Sequence, residues 1–472
     1  MPDTTSGPVS GLSVEGAQEF RGIPFAGPIG GARRFRAAVP PEPWTAPRRA
    51  TAWPLMAPQP WGMSDEDTRY FGDVFGEPYV TTSTEDGLYL NLWTPAADDA
   101  RRPVLVWLHG GGFWFGQPTR PRENGRRLSA AEDVVVVAPS HRLGLLGYLD
   151  TRELFGGDAN VGMTDIVLAL RWVRDNIAAF GGDPGNVTLF GESGGGMKIA
   201  ALMAMPGAAG LFHRAICQSG VMPLPGAPGG LGGDQAGEIL AEVLATVGDK
   251  RALLETPAAE LARLPVPALG WQPILDDETL PVPVPEALAA GVSATTPLMA
   301  GSNAAEMRVL TRGPDLPATL EELTARLGGA GDMARHYVEH GGDFASAAEQ
   351  ALTDHVFRHP TIRFAEMRAA AGGAPVYVYL LRWHNPARPD VGAGHGVETS
   401  LVFGNLDAVP ALRDEPSAAA MGAAMRAAWA SFARTGVPMA AGESWPAFTV
   451  DGRATLIWDL PPVVVSDPPP LF

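Results

Sequence analysis

Asn186-Val187-Thr188-Leu189-Phe190-Gly191-Glu192-Ser193-Gly194-Gly195 is the most informative segment of the chain. Asn186 to Phe190 is a short, mostly apolar run of strand length, and it runs directly into glycine. Met197 to Met205, just beyond, is rich in Ala, Leu and Met and reads as a helix. Gly191-Glu192-Ser193-Gly194-Gly195 matches G-x-S-x-G, a sharp strand-to-helix turn that holds its serine in a strained backbone conformation. The flanking glycines are needed because side chains there would collide with the neighbouring strand and helix. In a glycine-rich chain the pentapeptide alone is weak evidence, and an ordinary Gly-Ser turn is the bland alternative. The strand before it and the helix after it are the context that favours a nucleophile.

Upstream, Val104-Leu105-Val106-Trp107-Leu108 is a second buried strand, ending in His109-Gly110-Gly111-Gly112-Phe113. A glycine run lets backbone N–H groups converge on one point, which is how a developing oxyanion is stabilised. The expected donors are the amides of Gly111, Gly112 and Gly194. Val134–Ala138 reads as another strand, and Thr164 to Phe180 as a helix stopped by Gly181-Gly182. Ala215–Gln218, Leu298–Ala300 and Val376–Leu380 extend the series. Strands alternating with helices predict an α/β fold with a mostly parallel sheet covered on both faces. The segment from about 230 to 345 reads as helices with Pro breaks that cap the site. Ser417 to Arg434 reads as one long helix, and the Pro-rich tail from Pro461 to Phe472 as irregular chain. No repeat or linker is visible, so residues 1–472 are expected to form a single domain.

The chain of 472 residues is 46% hydrophobic and 18% charged, ordinary for a globular enzyme. Its 57 glycines and 45 prolines are interleaved with apolar runs and signal tight turns, not disorder. A net charge of −17 disfavours nucleic acid and anionic membrane surfaces as partners. The longest apolar runs are far too short to span a bilayer, and Met1 to Ser6 lacks the basic start and apolar core of a secretory signal. The single cysteine, Cys217, permits no intramolecular disulfide, and with the missing signal it favours the cytoplasm. Cys217 lies in an apolar strand, where a small core side chain is the expected role.

These features together resemble the type-B carboxylesterases, the family of bacterial para-nitrobenzyl esterases and the cholinesterases. Glu85-Asp86-Gly87-Leu88-Tyr89-Leu90-Asn91-Leu92-Trp93-Thr94-Pro95 is similar to the family's second signature. Phe20 to Ala26, Asn176 to Pro184 and Trp429 to Ala433 also look like the family, so the likeness runs from about residue 10 to 460. It implies an α/β-hydrolase fold with helical cap insertions and a Ser-His-Glu triad, in the chain order that fold uses. Ser193 is then the nucleophile. Gly301-Ser302-Asn303-Ala304-Ala305-Glu306 resembles the segment bearing the catalytic acid, making Glu306 that acid, although Ala304, Ala305 and Met307 depart from the usual pattern. Asp276 and Asp277 are local alternatives. Gly394-His395-Gly396-Val397-Glu398 looks like the histidine motif and makes His395 the base, with His384 as its competitor. The family positions of Glu192 and Ser219 imply that Glu192 sets local electrostatics and Ser219 hydrogen-bonds the acid; plain packing is the alternative for both. The family often joins its second signature to an upstream cysteine, and Gly87 and Ala57 stand at those places.

The implied chemistry is two-step acyl transfer. Ser193 attacks an ester carbonyl, His395 takes its proton, Glu306 holds the imidazolium, and water releases the acid. Neither metal nor organic cofactor is required. Phe113, Trp114 and Phe115 read equally as the lining of an apolar pocket for small hydrophobic or aryl esters, or as core. An amidase, carbamate hydrolase or acyltransferase with the same triad is a rival reading, and a non-catalytic binding protein on this fold is another. The expected partner is a small-molecule ester, and the expected assembly a monomer or small homo-oligomer.

Overall fold

The computed structural model covers residues 1–472 and describes all of them except 61–64, 77, 223–228, 266–269, 312–318, 341, 467 and 469–472. Its centre is an 11-stranded sheet. In chain order the strands are β1 (Leu12–Val14), β2 (Ala17–Pro24), β3 (Tyr89–Thr94), β4 (Arg102–Leu108), β5 (Val135–Pro139), β6 (Gly182–Glu192), β7 (Arg214–Gln218), β8 (Leu298–Asn303), β9 (Val376–Leu381), β10 (Ala454–Trp458) and β11 (Val463–Ser466). Across the sheet they run β11-β10-β9-β8-β7-β6-β4-β5-β3-β2-β1. Strands β4 to β10 are parallel, and the outer pairings are antiparallel. The parallel strands expected from the sequence are therefore all present. The tail departs from expectation: Val463–Ser466 pairs antiparallel with β10 and closes one edge, while residues 467 and 469–472 lie outside the described residues.

Period-two alternation explains why these runs are apolar throughout. Val104, Val106 and Leu108 of β4 join one core cluster, and Leu105 and Trp107 join the other. Val135 and Val137 of β5 likewise face one layer, and Val136 and Ala138 the opposite one. Helix α1 (Val161–Asn176) covers the first face with α2 (Gly194–Ala204), and α3 (Val397–Phe403) and α4 (Pro416–Thr435) cover the second. Every residue of α2 is buried, so it is a core helix with no solvent face. The segment 230–345 holds several helices but also contributes β8 to the middle of the sheet. Because β4 and β6 are neighbours, the loops leaving their carboxyl ends lie side by side, where open α/β sheets bind ligands.

Candidate active site

Ser193 sits between β6 and α2 with φ 55° and ψ −122°, a conformation that costs a non-glycine residue on the order of 1–3 kcal/mol. The turn is that tight because its neighbours are backbone. A Cβ on Gly195 would stand 1.9 Å from the Leu108 carbonyl, and one on Gly191 2.7 Å from the Gly195 carbonyl carbon. The Ser193 amide donates to the Gln218 carbonyl at 2.8 Å, which fastens the turn to the end of β7. Ser193 itself is partly exposed.

The glycine loop after β4 lies against this turn. A Cβ on Gly110 would meet the Ser193 Cβ at 3.5 Å, and one on Gly194 would stand 2.3 Å from the Gly112 nitrogen. Gly111 and Gly112 have φ of 92° and 59°, the region that favours glycine. Their amides and that of Gly194 therefore belong to two backbone segments in direct contact. Lys198 of α2, fully buried, donates to the Gly112 carbonyl at 2.6 Å and the His109 carbonyl at 3.2 Å. His109 stacks on His141 with ring centroids 4.6 Å apart, and burial holds both imidazoles well below their ordinary pKa, hence neutral.

From the end of β8 and the loop after β9 come the acid and the base. His395 Nδ1 donates to Glu306 Oε2 at 2.7 Å, and the other Glu306 oxygen accepts from the Asn303 amide at 2.6 Å. Glu306 is fully buried. The Glu192 Oε1 atom lies 3.0 Å from His395 Nε2, an ion-pair approach without hydrogen-bond alignment. Among the described residues no hydrogen bond joins Ser193 Oγ to His395. Burial would lower the His395 pKa, but Glu192, Glu306 and Glu398 together overcome it and raise it to about 9. Burial also raises the Glu192 carboxyl, against the pull of His395 and Arg122.

Not every residue singled out from the sequence takes its expected place. Ser219 Oγ donates to Glu398 Oε1 at 3.2 Å and not to Glu306. Asn303 Nδ2 donates to the other Glu398 oxygen at 2.5 Å. His384 is exposed, and Asp276 is tied into a turn by the amides of Glu278 and Thr279 and by Asn160, so neither competes for the site. Phe113 is a core residue, edge-on to Tyr148 at 5.0 Å. Phe115 and Trp114 are both exposed, and Trp114 also lines a small cavity with Gln59, Leu143, Leu145, Leu264 and Trp271. Trp114 Nε1 donates to the Trp271 carbonyl at 3.3 Å, pinning that wall.

Sequence reasoning passed over three further participants besides Lys198. Glu398 stands inside the histidine motif, yet nothing marks it as buried beside two other carboxylates; burial first, then Glu192 and Glu306, push its pKa up to about 8. Asn303 bridges Glu306 and Glu398. Phe357 lies in the π-helical turn Asp354–Arg358 and packs on His395 with centroids 4.8 Å apart. Such turns often mark functional sites, but their sequences carry no signal.

Comparison with known proteins agrees with this geometry. The family model described as "Carboxylesterase family" matches residues 2–465. The chain belongs to that family. Para-nitrobenzyl esterase of Bacillus subtilis (strain 168) is 34% identical over 495 residues, spanning 98% of this chain and 96% of that protein. Phenmedipham hydrolase of Pseudarthrobacter oxydans is 33% identical, spanning 96% and 94%. Among solved structures, a PNB esterase superimposes with a TM-score of 0.86 at 32% identity, covering 99% of this chain and 97% of that one. The carboxylesterase of Geobacillus stearothermophilus gives 0.85 at 34% identity, covering 99% and 98%. The fold is therefore the α/β-hydrolase fold, and the protein is a carboxylic ester hydrolase. Positions 57 and 87, where the family often carries its disulfide, are adjacent in this carboxylesterase: a Cβ on Gly87 would lie 3.7 Å from the Ala57 nitrogen. No helix among the described residues is long and apolar enough to cross a membrane.

Proposed function

We propose that this carboxylesterase hydrolyses small to medium hydrophobic or aryl esters through an acyl-enzyme on Ser193, with His395 as base and Glu306 as the acid that orients it. The observation carrying this reading is the buried His395–Glu306 hydrogen bond of 2.7 Å beside a serine held at φ 55°. Glu306 fixes the proton on Nδ1, which leaves Nε2 as the atom that takes the serine proton. The amides of Gly111, Gly112 and Gly194 receive the carbonyl oxygen as it becomes an anion. His395 then protonates the leaving alcohol, and a water molecule repeats the two steps to free the acid. Trp114, two residues after Gly112 and lining a small cavity with Leu143, Leu145 and Trp271, supports a compact hydrophobic group on the substrate. Cys217, buried and with its thiol pushed well above the ordinary range, takes no part.

The test is hydrolysis of para-nitrophenyl acetate, butyrate and octanoate, with and without an organophosphate, followed by peptide mapping. The expected result is turnover abolished by the inhibitor with one adduct on Ser193, and a Ser193→Ala variant slower by at least ~10³-fold in kcat. Wild-type turnover in that variant would sink the assignment of nucleophile.

A further inference from the structure

Lys198 is a buried cation for which the acyl-transfer steps have no use. It lies five residues after Ser193 on α2, with no exposed surface. Among the described residues it pairs with no carboxylate. Its partners are the Gly112 and His109 carbonyls, at 2.6 and 3.2 Å, and the face of Phe113, whose centroid is 5.6 Å from Nζ. The titratable groups facing it are Glu192, at the end of β6, and His109 and His141, both neutral. Desolvation of an ammonium group is expensive, and two carbonyls do not replace a counter-ion. The cost shows in Lys198 itself, whose pKa burial lowers to about 7 against the raising effect of Glu192.

The two carbonyls that Lys198 grips bracket Gly110-Gly111-Gly112. That segment has the largest conformational freedom in the site, and its amides must be fixed before the reaction begins if they are to stabilise an anion. Gly112 in turn abuts Gly194. We propose that Lys198 is a positioning residue of the oxyanion site: its Nζ clamps the glycine loop at both ends and, in its protonated form, supplies a buried positive charge that favours the tetrahedral anion over the neutral ester. This rests on the reading of Ser193 as nucleophile and of the three glycine amides as its oxyanion donors. A cation in low dielectric attracts an anion far more strongly than it attracts a carbonyl dipole, so its effect falls on the transition state and not on substrate binding.

The experiment compares full-length wild type with Lys198→Met and Lys198→Gln. It measures kcat and KM for para-nitrophenyl butyrate, and Ki for an aryl trifluoromethyl ketone, which adds to the serine as a tetrahedral anion. The expected outcome is kcat reduced by about 10- to 100-fold with KM changed less than about threefold. The trifluoromethyl ketone should weaken by the same factor as kcat. Lys198→Gln keeps a donor without the charge, so it should fall between wild type and Lys198→Met. Should Lys198→Met not fold, Lys198→Gln carries the same comparison. Unchanged kcat and Ki, or a loss confined to KM, would overturn the role of Lys198. A wild type that neither turns over ester nor forms the ketone adduct would instead overturn the reading of Ser193.

Discussion

Glu192→Gln tests the electrostatics of the site most directly. His395 is held at about 9 although burial alone would lower it, and the charge on Glu192 is one of the chief raising influences, beside the hydrogen bond and charge of Glu306. Its oxygen stands 3.0 Å from Nε2, while Glu306 holds Nδ1. At that separation the Coulomb attraction is about 5 kcal/mol in a medium of effective dielectric ~20, of which protein relaxation and competing groups leave the equivalent of about 1–3 pH units. Glutamine keeps the size and removes the charge, while Glu306 and Glu398 remain. The imidazole midpoint should therefore fall by about one to three pH units, to between about 6 and 8. The direction is fixed: a lost carboxylate favours the neutral ring, so the variant gives up its proton at lower pH. The assay is titration of the imidazole nitrogen shifts in protein carrying ¹⁵N-histidine, from pH 5 to 10. One of the nine histidine signals is assigned to His395 by its loss in His395→Asn. A midpoint that stays in place or rises would refute the claim that Glu192 holds the proton on the base.

Packing gives two further outcomes. Gly195→Ala would drive a methyl group to within 1.9 Å of the Leu108 carbonyl, a backbone atom that cannot move aside; it should cost about 3 kcal/mol or more, read as a lowered urea midpoint with loss of organophosphate labelling. Trp271→Ala opens the cavity wall that Trp114 is pinned to, so kcat/KM for para-nitrophenyl octanoate should rise relative to acetate by roughly tenfold, the worth of one to two buried methylenes. An unchanged chain-length preference would show that this cavity does not hold the acyl chain.

How much of the fold and the site is legible in the sequence depends on how local each constraint is. The elbow at Ser193 and the glycine loop at 110–112 are set by steric demands within a few residues, so composition alone reveals them. The parallel strands are legible for the same reason: β4, β5 and β6 need apolar side chains on both faces. The partner of Ser219 is not legible. Whether it meets Glu306 or Glu398 depends on how β7, β8 and α3 meet, and two glutamates far along the chain look alike in a string. Lys198 escapes notice because a lysine in an Ala- and Leu-rich helix reads as its solvent face, and α2 has none. The tail misleads because an edge strand needs only one neighbour, and its prolines suggest none.

Glu398 shows what it costs to gather three carboxylates around one imidazole. Its pKa of about 8 stands well above the ordinary 4.5, so the folded protein binds this proton more tightly than the unfolded chain does. Below about pH 4.5 the group is neutral in both states and costs nothing, and as pH rises from there the unfolded state alone ionises, so stability is lost until about pH 8. Glu398→Gln is expected to imitate the protonated form, its oxygen accepting from Asn303 Nδ2 and its amide facing Ser219 Oγ. The variant should therefore match wild type in Tm near pH 5 and gain on it steadily up to about pH 8, by a few kcal/mol at most on the order-of-magnitude scale of such linkage, and then hold level. Thermal unfolding across pH 5 to 9 measures the difference directly. A gap independent of pH would mean that Glu398 is already ionised at neutral pH, its charge stabilised by Ser219, Asn303 and the His395 imidazolium, and that the raised base owes as much to Glu398 as to Glu192.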